Sequence, residues 1–158
     1  MEGGIGEKSL SDGSMGSSPR SFQNPTDDEV RDLLGRTRTI AVVGLSPRPQ
    51  RPSHGVARYL IDSGYVVFGV RPDSDEILGR PCYPSLADIP EPVDLVDVFR
   101  RPRYVAQHTD EAIAAEVGAL WLQLGVIDEP SALRAQDAGL IVVMNRCLMV
   151  EHGRLMDR

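Results

Sequence analysis

The sequence predicts an α/β protein built on one parallel sheet covered on both faces, and three observations predict it. Five short, almost wholly apolar runs recur along the chain: Ile40–Val43, Tyr65–Val70, Leu95–Phe99, Leu120–Gln123 and Leu140–Val143. Strands buried on both faces read this way. Between them lie segments with apolar residues at helical spacing, and alternation of the two patterns is the mark of βαβ units. At 158 residues the chain has the length of one domain. With right-handed crossovers the expectation is a single Rossmann-like, doubly wound five-stranded parallel sheet in the order 3-2-1-4-5.

The elements follow in chain order. Residues 1–25 are rich in Gly and Ser with few large apolar side chains, and are expected to be a disordered tail. The folded domain is expected over 26–158. Thr26-Asp-Asp-Glu29 has capping-box spacing, so a helix begins there, with Val30, Leu33 and Leu34 as its apolar stripe and Gly35 as its stop. After the first strand, Ser53–Ser63 reads as a helix with Val56, Tyr59 and Leu60 on one face and Gly64 at its end. The second strand leads into a long loop over 71–92 that carries five prolines, with a helical turn around Ser85–Asp88. The third strand is followed by a helix opened by Pro102 and running to about Glu116. Its inward residues are expected to be Val105, Ala112, Ile113 and Val117. The fourth strand precedes a helix capped by Asp128 and stopped by Gly139, and the fifth strand closes the sheet.

Composition narrows the function. The net charge is −6, from 17 basic and 23 acidic residues. That argues against nucleic acid or an anionic membrane as partner, since both favour a basic surface. No run approaches the roughly 18 apolar residues of a membrane span, and the first ten residues lack the apolar core of a secretory signal, so a cytoplasmic protein is expected. Cys82 and Cys147 have no metal-ligand spacing and do not form a disulfide framework. His54, His108 and His152 have no partner at metal spacing and are expected to be structural or exposed. No G-x-S-x-G elbow occurs, and Ser46 has no evident Ser–His–acid setting. Asp94 and Asp97 are expected to end in hydrogen bonds, and Trp121 and Tyr59 to lie in the core. No catalytic residue and no metal site are assigned.

In an open α/β sheet, ligands bind beyond the carboxyl ends of the strands. The loop Gly44-Leu-Ser-Pro-Arg-Pro-Gln-Arg-Pro-Ser53 joins the first strand to its helix, where backbone N–H groups can hold phosphate. It is neither G-x-G-x-x-G nor a P-loop: Ser46 and Pro49 occupy the second and third glycine positions. Between Asp32 and Asp62 there is no acidic residue but five arginines, Arg48 and Arg51 among them, so an acidic protein carries a local positive field. At the end of the second strand, where NAD-binding units place Asp or Glu, stands Arg71, followed by Pro72. A guanidinium there suits a ribose phosphate, as in NADP or coenzyme A. The loop Phe99-Arg-Arg-Pro-Arg103 adds three more cations beside an aromatic ring, fit to bind phosphates or stack on adenine.

Ile40-Ala-Val-Val-Gly-Leu-Ser-Pro-Arg-Pro, Leu78-Gly-Arg-Pro-Cys-Tyr-Pro-Ser-Leu-Ala-Asp-Ile-Pro, Val93-Asp-Leu-Val-Asp-Val-Phe-Arg-Arg-Pro, Leu120-Trp-Leu-Gln-Leu-Gly and Asn145-Arg-Cys-Leu-Met-Val-Glu-His together resemble the stand-alone bacterial CoA-binding proteins. These are similar to the N-terminal CoA-binding domain of the succinyl-CoA synthetase alpha subunit. The resemblance covers about residues 26–155 and implies a Rossmann-type fold that binds coenzyme A, free or acylated. It implies that Gly44, Leu45 and Ser46 line the phosphate loop, with Arg48, Arg51 and Ser53 nearby. Phe99, Arg100 and Arg101 border the adenosine end, and Gln123 and Cys147 lie where the pantetheine arm runs. Arg71 replaces the asparagine frequent in the family before Pro72. The synthetase's catalytic histidine belongs to a following domain that this sequence lacks, so the resemblance carries ligand binding and not ligase chemistry. The expected function is a small carrier, sensor or partner module for CoA, its protein partner unknown. The alternatives are an NADP-dependent oxidoreductase and a nucleotide-regulated interaction module. A mixed disulfide between Cys147 and the CoA thiol is chemically available; the alternative for this cysteine is packing as a small hydrophobe.

Overall fold

The computed structural model describes residues 20–156. The first helix, α1 (Asp27–Arg36), starts at the expected capping box: Thr26 Oγ1 accepts from the Glu29 N–H, and Glu29 Oε1 accepts from the Thr26 N–H. Then follow β1 (Thr39–Val43), α2 (Pro52–Asp62), β2 (Val66–Val70), β3 (Glu76–Ile77), β4 (Arg80–Tyr83) and β5 (Leu95–Val98). The chain continues with α3 (Val105–Ala114), β6 (Ala119–Leu122), α4 (Glu129–Asp137), β7 (Ile141–Met144) and α5 (Leu148–Met156). Short 3-10 turns at Leu86–Asp88 and Pro102–Tyr104 complete it.

The α/β class stands, but the sheet has seven strands instead of five, in the order β3-β4-β2-β1-β5-β6-β7. The run at Leu95 was expected beyond β2, on the sheet's flank. It pairs instead with the other edge of β1, Val42 opposite Asp97. The outer edge of β2 is taken by β4, which comes from the proline-rich stretch expected to be a loop, with Gly69 opposite Cys82. Gly69 makes this possible, because a Cβ there would sit 2.6 Å from the Cys82 sulfur. The antiparallel β3 folds onto β4 through a two-residue turn in which Leu78 and Gly79 both have positive φ, 56° and 73°. That hairpin geometry normally announces itself by Asn-Gly, and here Leu-Gly hides it. With β4 included, the six parallel strands have the 3-2-1-4-5-6 order of a dinucleotide-type sheet.

Alternation along each strand divides the core. Ala41, Val43, Val96, Val98, Leu120 and Leu122 meet α3 and α4 on one face. Ile40, Val42, Leu95 and Trp121 meet α1, α2 and α5 on the other. The expected inward residues are buried, Val105 and Ala112 within α3 and Val117 just beyond its end, with Ile113 packed against them. Asp128 stands before α4, but its carboxylate accepts from the Ser131 hydroxyl and not from the helix backbone. The helix α5 was not expected from sequence.

Of the expected tail, residues 1–19 lie outside the described residues. Residues 20–25 do not wait for Thr26: Asn24 side-chain atoms accept from the Met144 N–H and donate to its carbonyl at the sheet edge, and Phe22 packs on the core. No helix among the described residues is long and apolar enough to cross a membrane.

Candidate functional site

Successive helices leave the sheet on opposite sides at β1 and β5: α2 covers one face and α3 the other. The crevice this opens at the carboxyl ends of the strands is the place where such folds hold ligands. A cleft of about 1090 Å³ lies there. The three strand-end loops singled out from sequence all contribute to it, together with residues that follow β6 and β7.

Gly44 forms its floor. Its φ is +85°, and a Cβ would come within 2.3 Å of the Phe99 carbonyl oxygen, so only glycine lets the two loops cross this closely. The loop that follows is held by its own polar groups. The Ser46 N–H donates to Ser53 Oγ, the Arg48 N–H donates to Ser46 Oγ, and His54 Nδ1–H donates to the Ser46 carbonyl. The N-terminus of α2 has Pro52 at its start, no side-chain cap and no acidic residue in its first turn. Such an end favours an anion.

Of the residues assigned from sequence, Gly44, Ser46, Arg48, Arg51, Ser53, Arg71, Phe99, Arg100, Arg101, Gln123 and Cys147 line the cleft. Leu45 does not: its side chain is buried beneath the loop, and it contributes a carbonyl that accepts from Arg71 Nη1 at 3.1 Å. Pro72 is exposed outside the cleft. Arg71 is also 3.7 Å from Asp73, and its Nε is buried without a hydrogen-bond partner among the described residues. Among the described residues, no Asp or Glu lines the cleft.

The lining changes character across the sheet. Arginines stand over β2, β1 and β5, whereas Gln123, Leu124, Val126, Cys147 and Met149 stand over β6 and β7. Four strand spacings of about 4.8 Å separate β2 from β7, so the gradient spans about 19 Å. Leu124 is 69% exposed, unusual for a large apolar side chain. Gln123 is only 4% exposed, and its Oε1 accepts from the Leu148 N–H at the start of α5. That bond seats Cys147, half-buried, at the head of α5. Gly125 donates its N–H to Asn145 Oδ1, tying the β6 and β7 loops together.

Other expectations meet mixed outcomes. Asp94 accepts from the Arg38 and Thr39 N–H groups as expected. Asp97 makes no hydrogen bond among the described residues: it is fully buried in β5, and burial pushes its carboxyl well above the usual range. Trp121 is in the core, donating to the Arg146 carbonyl. Tyr59 is half-buried, its hydroxyl 2.8 Å from His152 Nδ1. Burial raises the Cys82 thiol and lowers His152. Sequence reasoning missed two partners of the site, His54 and His108; the second contacts Arg100. Its only sequence signal is a histidine eight residues after the arginine, on the next helix. No group of three His, Cys, Asp or Glu among the described residues could hold a metal ion.

Comparison with known proteins adds four findings. Residues 38–153 match the CoA binding domain family. The uncharacterized protein YneT of Bacillus subtilis (strain 168) is 38% identical over 132 residues, covering 84% of this chain and 98% of that protein. A hypothetical protein from Pyrococcus horikoshii OT3 has a similar structure, with a TM-score of 0.82 at 39% identity, covering 89% of this chain and 99% of that one. Acetate–CoA ligase (ADP-forming) I of Archaeoglobus fulgidus is 34% identical over 89 residues, which are 56% of this chain but 13% of the ligase.

Proposed function

The chain belongs to the CoA binding domain family, and on that premise we propose that it binds coenzyme A or an acyl-CoA in the cleft at the switch point, as a cytoplasmic carrier, sensor or partner module without chemistry of its own. The observation that carries this reading is the gradient along one cleft. The cations over β2, β1 and β5 match the phosphates of a 3′-phosphorylated ADP, and the apolar stretch over β6 and β7 matches a pantetheine arm. The diphosphate lies at the α2 N-terminus and the Gly44 floor, where no Cβ intervenes. Arg71 serves the ribose phosphate through Nη2, which has only the carboxylate of Asp73 at 3.7 Å, while Nη1 is held by the Leu45 carbonyl. Gln123 and Cys147 stand along the arm toward the thiol.

The ligase is named for joining acetate to CoA with formation of ADP, and this chain matches only a small part of it. The proposal therefore takes over the CoA-binding step alone. NADP is the competing ligand, because a guanidinium after β2 suits its 2′-phosphate equally. The apolar end and the missing dinucleotide glycines favour CoA.

A thermal-shift and calorimetry panel of CoA, acetyl-CoA, dephospho-CoA, NADP and NAD tests this. CoA at 100 times its Kd is expected to add about 2.7 kcal/mol to stability. Dephospho-CoA is expected to bind more weakly, by about 1.5–3 kcal/mol for one lost charge-assisted bond, and Arg71→Ala removes the difference. Stabilisation by NADP with none by CoA overturns the reading.

A further inference from the structure

Beside the cleft, on helix α3, a run of polar contacts leads to Arg100. His108 is 5% exposed. Arg100 Nη1 lies 3.2 Å from His108 Nε2, and His108 Nδ1 lies 2.9 Å from Glu111 Oε1. A guanidinium only donates, so Nε2 accepts and Nδ1–H donates to the carboxylate. The Arg100 guanidinium also sits 4.2 Å over the Tyr104 ring, with Arg103 against the same ring at 4.9 Å. The Arg100 stem crosses the floor of the cleft: a Cβ on Gly44 would lie 3.1 Å from its Cδ. Histidine and tyrosine thus hold the guanidinium where the phosphate loop begins.

We propose that His108, backed by Glu111, is a positioning residue that presents Arg100 to the ligand's phosphates. The inference rests on the CoA reading above. Its physical content is the choice of partner. A carboxylate bonded directly to Arg100 would occupy its fork, as Asp27 does with both Nη1 and Nη2 of Arg154, and would compete with phosphate for it. A neutral imidazole takes one N–H and leaves the others open. Glu111 balances charge from one ring further away, outside the cleft. The remaining acid on this part of α3, Asp110, is bound to Arg134 of α4 and does not reach Arg100. The side chain is ordered on folding, so binding does not have to order it.

Calorimetric titration with CoA of the unsubstituted protein, His108→Leu, His108→Gln, Arg100→Ala and the double variant His108→Leu/Arg100→Ala tests the role. His108→Leu is expected to weaken CoA about tenfold, the scale of one lost polar contact. His108→Gln, which keeps an acceptor for Arg100 and a donor for Glu111, restores most of that loss. In the Arg100→Ala background His108→Leu has no further effect. In the unliganded protein, imidazole 15N NMR is expected to show Nδ1 protonated and Nε2 bare, with the Nε2 resonance moving in Arg100→Ala; this readout holds even where a Leu variant folds poorly. An unchanged affinity in folded His108→Leu, an equal loss in both backgrounds, or a protonated Nε2 overturns the positioning role alone. Absence of CoA binding to the unsubstituted protein overturns the function and this role with it.

Discussion

Four arginines on the helical surface and the arginines at the cleft meet opposite surroundings. On the surface, Arg31 pairs with Asp28, Arg36 with Asp32, Arg134 with Asp110, and Arg154 with Asp27 and Glu151. At the cleft, Arg48, Arg51, Arg100 and Arg101 have no carboxylate partner among the described residues, and Arg71 has only a distant one. The two helix starts differ in the same way. At α1 a capping box and three acids satisfy the first turn, while α2 opens on the cleft with neither. A protein of net charge −6 has acids to spare, and none of those among the described residues lines the cleft. Positive charge left unpaired in a concave site repels itself until an anion enters, so folding leaves this electrostatic demand for a ligand to meet.

The largest way to break the contrast is to remove the floor of the unpaired region. Gly44→Ala places a Cβ against the Phe99 carbonyl at a left-handed φ. The strain of that φ alone is about 1–3 kcal/mol, and the clash adds to it. Urea denaturation is expected to show a loss of about 3 kcal/mol or more, with CoA binding abolished; a variant of native stability that binds CoA would show that the loops do not need this approach.

Charge reversal sharpens the contrast directly. Arg51→Glu is expected to weaken CoA at least about tenfold, with the loss shrinking as salt is added. Arg134→Glu, in the paired region, is expected to leave the affinity unchanged and to cost about 0.5 kcal/mol of stability. Equal effects on affinity at the two positions would erase the distinction between the regions.

Asp97 shows a third fate for a charge. Its carboxyl is fully buried, with no hydrogen-bond partner among the described residues. Burial raises its pKa in the fold above the ordinary 3.8, so the native state holds the proton more tightly than the unfolded chain. Its contribution is therefore most favourable below that ordinary value and is lost as pH rises through the native one. Asp97→Asn does not titrate. Relative to the unsubstituted protein it is expected to gain about 1–3 kcal/mol between pH 4 and neutrality, read from paired denaturation curves. A difference that does not change with pH would place a partner on Asp97.

His152 predicts a smaller effect of opposite sign. Burial against Tyr59 and Tyr65 lowers its pKa below 6.5, so the unfolded chain takes up the proton first. Stability is present above 6.5 and falls as pH drops below it. Thermal melts from pH 7 to 5 are expected to fall slightly less for His152→Gln than for the unsubstituted protein. Parallel curves would remove the histidine from the acid response.

The strand runs, α1 with its capping box, α2, α3 and the loops that line the cleft were legible in the sequence, because each is written in a short stretch of chain. Apolar runs mark strands buried on both faces, helical spacing marks the layers, and parallel strands with crossover helices put the next loop at the carboxyl edge. The cations of the cleft were legible for the same reason, as arginines directly after strands. Leu45 misled because it sits among exposed loop residues in sequence while its side chain turns into the core. What the tertiary structure alone decided is pairing. The edge of β1 taken by Leu95–Val98, the seat for Cys82 under Gly69, the Gln123 bond that starts α5, and the histidine behind Arg100 all join residues far apart in the chain or on separate elements. Local sterics and periodicity act within a few residues and leave a signature there. The choice of partner minimises the free energy of the whole packed sheet, and no single stretch of sequence carries that sum.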